Sequence, residues 1–443
     1  MLNSFKRSET IFFLTLFIFL IIFTYVQVNS QHWSSIFYFD LTIIYNSLSV
    51  VSGYFQEYRD HPAYTQFLIN GIFYKFFSIF DKNLISNLNI YLVSSNKDLA
   101  IQTLYIYSRY IHLLFYFLFA IFFFKLANYF KIKKYFIYIS IVLLFLTERI
   151  LYDLTVLRAD VLSYLLIIAS FYYLLIFFDN INVKYLLICA ACITLSLLSK
   201  IQIIFYLPII YLILVTKIYK LNEIEISKFS FPLKLKIKTY YKIFFLLAFS
   251  YILLQILLNQ HIRFSDSNYL DLKLFIVLIL SIIFFTNFLL KEQPNKKEVL
   301  IKIFFYLLLF VILTILILNF LSLIGIVKLS PYILLRLTNP FHYMSIVSYD
   351  DIANKYVNFE IFILMIKKFF SFDNLNFKKS LIYILNLTYI YLFFKNFKKN
   401  KNSLALYFLI LLFFYFILLT FNFRYYETYI LYSLSLYLFI FIF

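Results

Sequence analysis

The residues able to do chemistry stand out because the rest of the chain is so apolar. Asp40 lies between "IFYF" and "LTIIYN", and the stretch "QEYRDHPAY" then sets Glu57, Arg59, Asp60, His61 and Tyr64 almost side by side. Further along come Arg109 in "YSRYIHLLF", Arg158 and Asp160 in "LRADVLSYLL", Lys200 in "LLSKIQIIFYLP", and Arg424 with Tyr425 in "FRYYETYILYSL". A carboxylate in an apolar setting with a cation nearby has a tunable pKa, so it suits a general base that takes a proton from a hydroxyl. Guanidinium and ammonium groups suit a phosphate, arginine through paired hydrogen bonds and lysine as a point charge. Local structure also accounts for several of these residues. Asp40 reads as an N-cap for "LTIIYNSLSVV", Pro62 as a first-turn residue after an extended His61, Arg158 with Asp160 as an ion pair, and Lys200 as a snorkelling lysine.

The elements that hold these groups must live in a bilayer. The chain has 443 residues, 64% of them hydrophobic and only 14% charged, with a mean hydropathy of +0.88. Soluble domains carry about 25% charged residues. The apolar runs are continuous rather than alternating, which selects helices over a barrel. The reading is an all-α polytopic membrane protein of about twelve spans at about 20 residues each. A long first external loop carries interfacial helices, one of them in "TQFLINGIFYKFF". Individual spans are expected at about Ile11 onward, Tyr105–Leu126, Tyr135–Thr147, from Val161, up to Lys200, from Ile201, and Ile303–Val327, with three more near the C-terminal end.

The net charge of +19 does not mark a nucleic-acid binder. Basic residues collect in short segments between apolar runs, 125–134, 217–242, 291–302 and 395–401. They fall on alternate loops, as cytoplasmic loops of one topology do, and would favour anionic lipid heads. The carboxylates and arginines lie at the other ends of the spans, so the working face is expected outside the cytoplasmic membrane. Cys189 and Cys192 share a CxxC spacing without a second ligand pair and read as small buried residues. No phosphate-binding loop, dinucleotide fingerprint or HExxH motif occurs, and no metal or cofactor is called for. The abundance of Phe, Ile, Tyr, Lys and Asn reads as background composition.

The ordered set resembles the GT-C membrane glycosyltransferases, which include aminoarabinose transferases and protein mannosyltransferases. In that family an acid follows the first span and a His-Pro motif opens a helix in the long first outer loop. An Arg starts the second span, an acid starts a later one, a Leu-(Ser/Thr)-Lys lies between spans, and an Arg-Tyr sits near the last. Asp40, His61-Pro62 with Tyr64, Arg109, Arg158 with Asp160, Lys200 and Arg424-Tyr425 fall in that order here. Ala63 stands where a second Pro is usual, and Leu41 where a second acid often is. The resemblance covers residues 1–220 of what is read as a single membrane domain, 1–443. Residues 221–443 form a variable half with an external segment at 328–360, expected to select the acceptor.

What the resemblance implies is transfer of a sugar from a polyprenyl-phosphate donor to a hydroxyl on a lipid, glycan or protein acceptor. Asp40 and Asp160 would be catalytic, while Arg59, Asp60, His61, Tyr64, Arg109, Arg158, Lys200, Arg424 and Tyr425 would bind substrate. The competing reading is a transporter or flippase for a lipid-linked sugar or another solute. Such carriers place charges near the bilayer midplane at Gly- and Pro-broken helices, whereas this chain has three Gly and six Pro in all.

Overall fold

A computed structural model describes residues 7–30, 32–35, 38–56, 63–81, 84–146, 154–200, 221–229 and 293–328, with further scattered positions at 151 and between 203 and 246. Every element among the described residues is helical. In chain order they are α1 (Arg7–Ser30), a short 3-10 turn (Trp33–Ser35), α2 (Tyr38–Val51), α3 (Tyr64–Phe77), α4 (Leu88–Val93), α5 (Lys97–Tyr129), α6 (Lys134–Phe145), α7 (Asp160–Asn180), α8 (Val183–Ser199), α9 (Glu223–Ser227) and α10 (Pro294–Leu323).

Four of these, α1, α5, α7 and α10, are long and apolar enough to cross a membrane, so the chain is a membrane protein. α2, α6 and α8 are apolar but shorter. Expected spans and observed helices coincide closely at α6, α7 and α8. α5 begins at Lys97, two turns before the expected start at Tyr105, because Asn96 caps it by accepting from the Leu99 N–H at 3.1 Å. The long loop after α1 is largely helical too. α3 is more enclosed than a surface helix. Tyr64, Thr65, Gln66, Phe67, Leu68, Asn70, Gly71 and Tyr74 are all buried, and only positions such as Ile72 and Phe76 stand exposed.

α7 and α8 form an antiparallel hairpin at the centre, joined by the two residues between Asn180 and Val183. α5 packs on α7, α10 on α8, α1 on α5, and α3 bridges α2 and α8. α7 is apolar on all sides and buried along most of its length, as a central helix should be. α1 and α10 expose Ile11, Leu14, Ile18, Leu313, Leu316 and Phe320, the pattern of helices that turn one side to lipid. Cys189 is buried, Cys192 is half-buried, and both are free thiols.

Two backbone positions fix how closely elements approach. At Gly71 a Cβ would lie 2.6 Å from the Ser47 carbonyl oxygen and closer still to Val51 Cγ1, so α2 and α3 touch through a side chain that is not there. At the end of α7, Ile181 takes a left-handed conformation with φ of 50°, where its N–H closes on the Phe177 carbonyl. A β-branched residue is disfavoured there, and glycine is the usual occupant.

These two sites predict opposite outcomes. Gly71→Ala should lower the melting temperature by an overpacking cost of about 1–3 kcal/mol. Ile181→Gly should raise it, since relief of the left-handed strain is worth about 1–2 kcal/mol. Thermal unfolding in one detergent checks both.

Candidate functional site

Asp40 lies in the first turn of α2, two residues past its start, and is not the N-cap. Its carboxylate is instead spent on distant parts of the chain. Oδ2 accepts from Arg109 Nη2 at 2.6 Å, and Oδ1 accepts from the Leu157 backbone N–H at 2.7 Å. Arg109, on α5, also donates through Nη1 to the Leu154 carbonyl at 3.1 Å. Asp40 and Arg109 are 2% and 3% exposed. The pair therefore joins α2 to α5 and clamps the 154–157 segment from both sides, setting the direction in which Arg158 and Asp160 leave it.

Burial pushes the Asp40 carboxyl up from its ordinary 3.8 to about 6, against the opposing pull of Arg109, the Leu157 N–H and Arg158. The Arg109 guanidinium stacks over the Tyr105 ring, 4.9 Å from its centre, which further fixes its plane.

One turn away, Asp160 opens α7 and pairs with Lys200. The expected pairing of Asp160 with its neighbour Arg158 is thus replaced in the described ion pairs by one across the hairpin. The reason is geometric: α7 begins where α8 ends, so Asp160 faces the C-terminal cap residue Lys200. Two serines tighten the same corner. Ser163 donates to the Asp160 carbonyl and Ser196 donates to the Ser163 carbonyl, at 2.7 and 2.6 Å. Lys200 keeps 18% of its side chain exposed and Arg158 is half-buried, whereas Arg109 is enclosed.

α3 supplies a third wall. Thr65 donates to the Leu195 carbonyl at 2.6 Å, seating the N-terminal turn of α3 on α8 about 7.5 Å below Lys200. Tyr64 is fully buried and its hydroxyl has no partner among the described residues; burial pushes that hydroxyl above its ordinary value. Tyr74, two turns on, bonds to Ser108 of α5.

The structure thus brings Asp40, Arg109, Arg158, Asp160 and Lys200 to one end of the bundle, with Tyr64 on the adjoining helix. Arg59, Asp60, His61, Arg424 and Tyr425 lie outside the described residues. At the opposite end sit a Lys134–Glu9 pair, the Tyr129 hydroxyl donating to Asp179 at 2.9 Å, and Lys217 at 5.1 Å from the centre of the Tyr129 ring. Acids therefore sit at both ends among the described residues, Asp40 and Asp160 at one and Glu9 and Asp179 at the other, so the carboxylates are not confined to one side as expected.

Sequence reasoning missed Ser163 and Ser196, since a serine in a span carries no signal by itself, and it missed Leu154 and Leu157, which act through their backbone. Comparison of the chain with family models, curated proteins and solved structures gives no match.

Breaking one member of the enclosed pair strands the other in a low-dielectric setting. Arg109→Met should therefore cost about 3–5 kcal/mol. The double change Arg109→Met with Asp40→Leu should recover much of the loss, because both charges leave together. Chemical unfolding of Arg109→Met, Asp40→Leu and the double variant beside the parent measures the coupling.

Proposed function

We propose that this protein is a membrane glycosyltransferase that moves a sugar from a polyprenyl-phosphate donor to an acceptor hydroxyl on the extracytoplasmic side of the membrane. The observation that carries the reading is the meeting of Asp40, Arg158, Asp160 and Lys200 at one end of a helical membrane bundle, with Asp40 held by Arg109. The further expectations of about twelve spans and a GT-C architecture belong to the same proposal.

The chemistry divides among these residues by exposure. Asp40 is the general base. Each of its oxygens accepts one hydrogen bond, from Arg109 or Leu157, and a carboxylate has further acceptor capacity for the nucleophile's O–H. An apparent pKa near 6 suits a group that must be ionised at neutral pH yet basic enough to take a proton. The bond from the anomeric carbon to phosphate oxygen breaks as the bond to the acceptor oxygen forms. The proton passes to Asp40, and the electron pair leaves with the lipid phosphate.

Arg158 and Lys200, the more exposed cations, stabilise the leaving phosphate. Asp160 orients Lys200. Arg109 is a positioning residue, since its guanidinium is occupied by Asp40 and the Leu154 carbonyl. Lipid-facing helices α1 and α10 allow a prenyl chain to stay in the bilayer while its phosphate reaches the charged end.

The carrier reading has one observation in its favour. Arg109 sits twelve residues into a candidate span, the kind of intramembrane charge that transport pathways use. Its lone described route, however, is to Asp40 and Leu154, a closed contact.

Vesicles carrying the protein and a labelled polyprenyl-phosphate sugar decide between them. Transfer to an acceptor should fall by about 10²-fold or more in Asp40→Asn. Flux of label across the membrane without transfer would sustain the carrier instead. For the enzyme, kcat should drop below about pH 6 as Asp40 takes up a proton. In Arg109→Gln that acid limb should move to higher pH, because the cation that pulls the Asp40 pKa down is gone.

A further inference from the structure

Gln66, in the first turn of α3, is a side chain near this site whose polar chemistry is unspent. It is 0% exposed, and neither its amide nitrogen nor its amide oxygen has a hydrogen-bond partner among the described residues. A buried primary amide with no partner gives up its hydration for nothing in return, and native interiors seldom tolerate this. Asn70, one turn on, shares the condition at both amide atoms, and the Tyr64 hydroxyl is unpartnered among the described residues too. Thr65, by contrast, is spent on the Leu195 carbonyl, and the Tyr74 hydroxyl bonds Ser108.

Gln66, Asn70 and Tyr74 recur every fourth residue and so form one stripe on α3. The Tyr74 end of that stripe meets α5 at Ser108, next to Arg109, and the Gln66 end lies beside the last turns of α8. Thr65 fixes the level. Leu195 precedes Lys200 by five residues, about 7.5 Å along the helix axis. The first turn of α3, which carries Gln66, therefore meets α8 about one and a half turns before Lys200.

We propose that the Gln66 amide is a hydroxyl-binding site at the floor of the charged end, donating and accepting at once to a neutral O–H group. That group is either an ordered water or a hydroxyl of the donor sugar. The complementarity is chemical: an amide offers donors and an acceptor without net charge, which matches an alcohol and gives nothing to a phosphate or a carboxylate in preference to the nearby cations. The sugar form rests on the transferase reading, and the water form does not.

The test uses Gln66→Met, which keeps the length and removes the polar atoms, and Gln66→Asn, which keeps the chemistry and shortens the reach. Both are made in the full chain and melted in detergent, first alone and then with a polyprenyl-phosphate sugar or the same polyprenyl phosphate lacking sugar. If water is resident, Gln66→Met alone melts below the parent by about 1 °C or more. If the sugar supplies the hydroxyl, Gln66→Met alone melts at or above the parent but loses about tenfold in affinity for the sugar-bearing donor. Affinity for the bare carrier stays unchanged, and Gln66→Asn recovers part of the loss.

A Gln66→Met protein that melts at or above the parent and still prefers the sugar-bearing donor as strongly would overturn the proposal. Should the parent itself fail to distinguish the two carriers, the transferase reading fails. The melting temperature of Gln66→Met alone then still decides the assignment: a lower value supports bound water, and an equal or higher one overturns it.

Discussion

The enclosed ion pair between Asp40 and Arg109 is the constraint on which this end of the molecule depends. Two charges 2.6 Å apart with almost no solvent contact are held in place because each also bonds to backbone. The partners of that backbone contact are the Leu157 N–H and the Leu154 carbonyl, two groups of one irregular segment. A segment between helices has unsatisfied peptide groups, and in an apolar surrounding they must be met by side chains. The pair and the segment thus solve each other's problem. Removing either leaves polar groups stranded, which is why this arrangement holds a fixed shape in a chain otherwise composed of interchangeable apolar residues.

The consequences run outward from there. With 154–157 fixed, α7 begins at Asp160, at the level where α8 ends, and the hairpin puts Asp160 against Lys200. The Ser196 bond to the Ser163 carbonyl ties α8 to α7 at that corner. α3 is drawn in by Thr65 on one side and by the absence of a side chain at Gly71 on the other. The result is a difference in exposure among the cations: Arg109 is enclosed, while Arg158 and Lys200 are half-buried. Gln66, on α3, is enclosed with no partner among the described residues.

Much of this was legible without coordinates. Continuous apolar runs specify membrane helices because lipid cannot hydrogen-bond a backbone, so α1, α6, α7 and α8 fall where composition and charge placed them. The scarcity of charge inside the apolar runs was likewise readable, since an ionised group inside a span is costly and rare. Helix limits were less so. α5 extends toward Asn96 because of a capping bond, and α10 starts at Pro294 with Lys296 donating to the Tyr219 carbonyl, contacts that hydropathy does not register. Asp40 looked like a cap because acids beside apolar runs usually are, and its actual partners lie 69 and 117 positions away.

The sequence by itself determined that this is a helical membrane protein with few charges inside its apolar runs, because burial of apolar surface and the cost of a charge in lipid are local properties of each segment. Only the tertiary structure decided who pairs with whom: Asp40 with Arg109 and the Leu157 amide, Asp160 with Lys200 rather than Arg158, Thr65 with Leu195. Those choices depend on which helix ends meet in space. That follows from packing between helices, such as the approach allowed at Gly71, and a list of residues does not contain it.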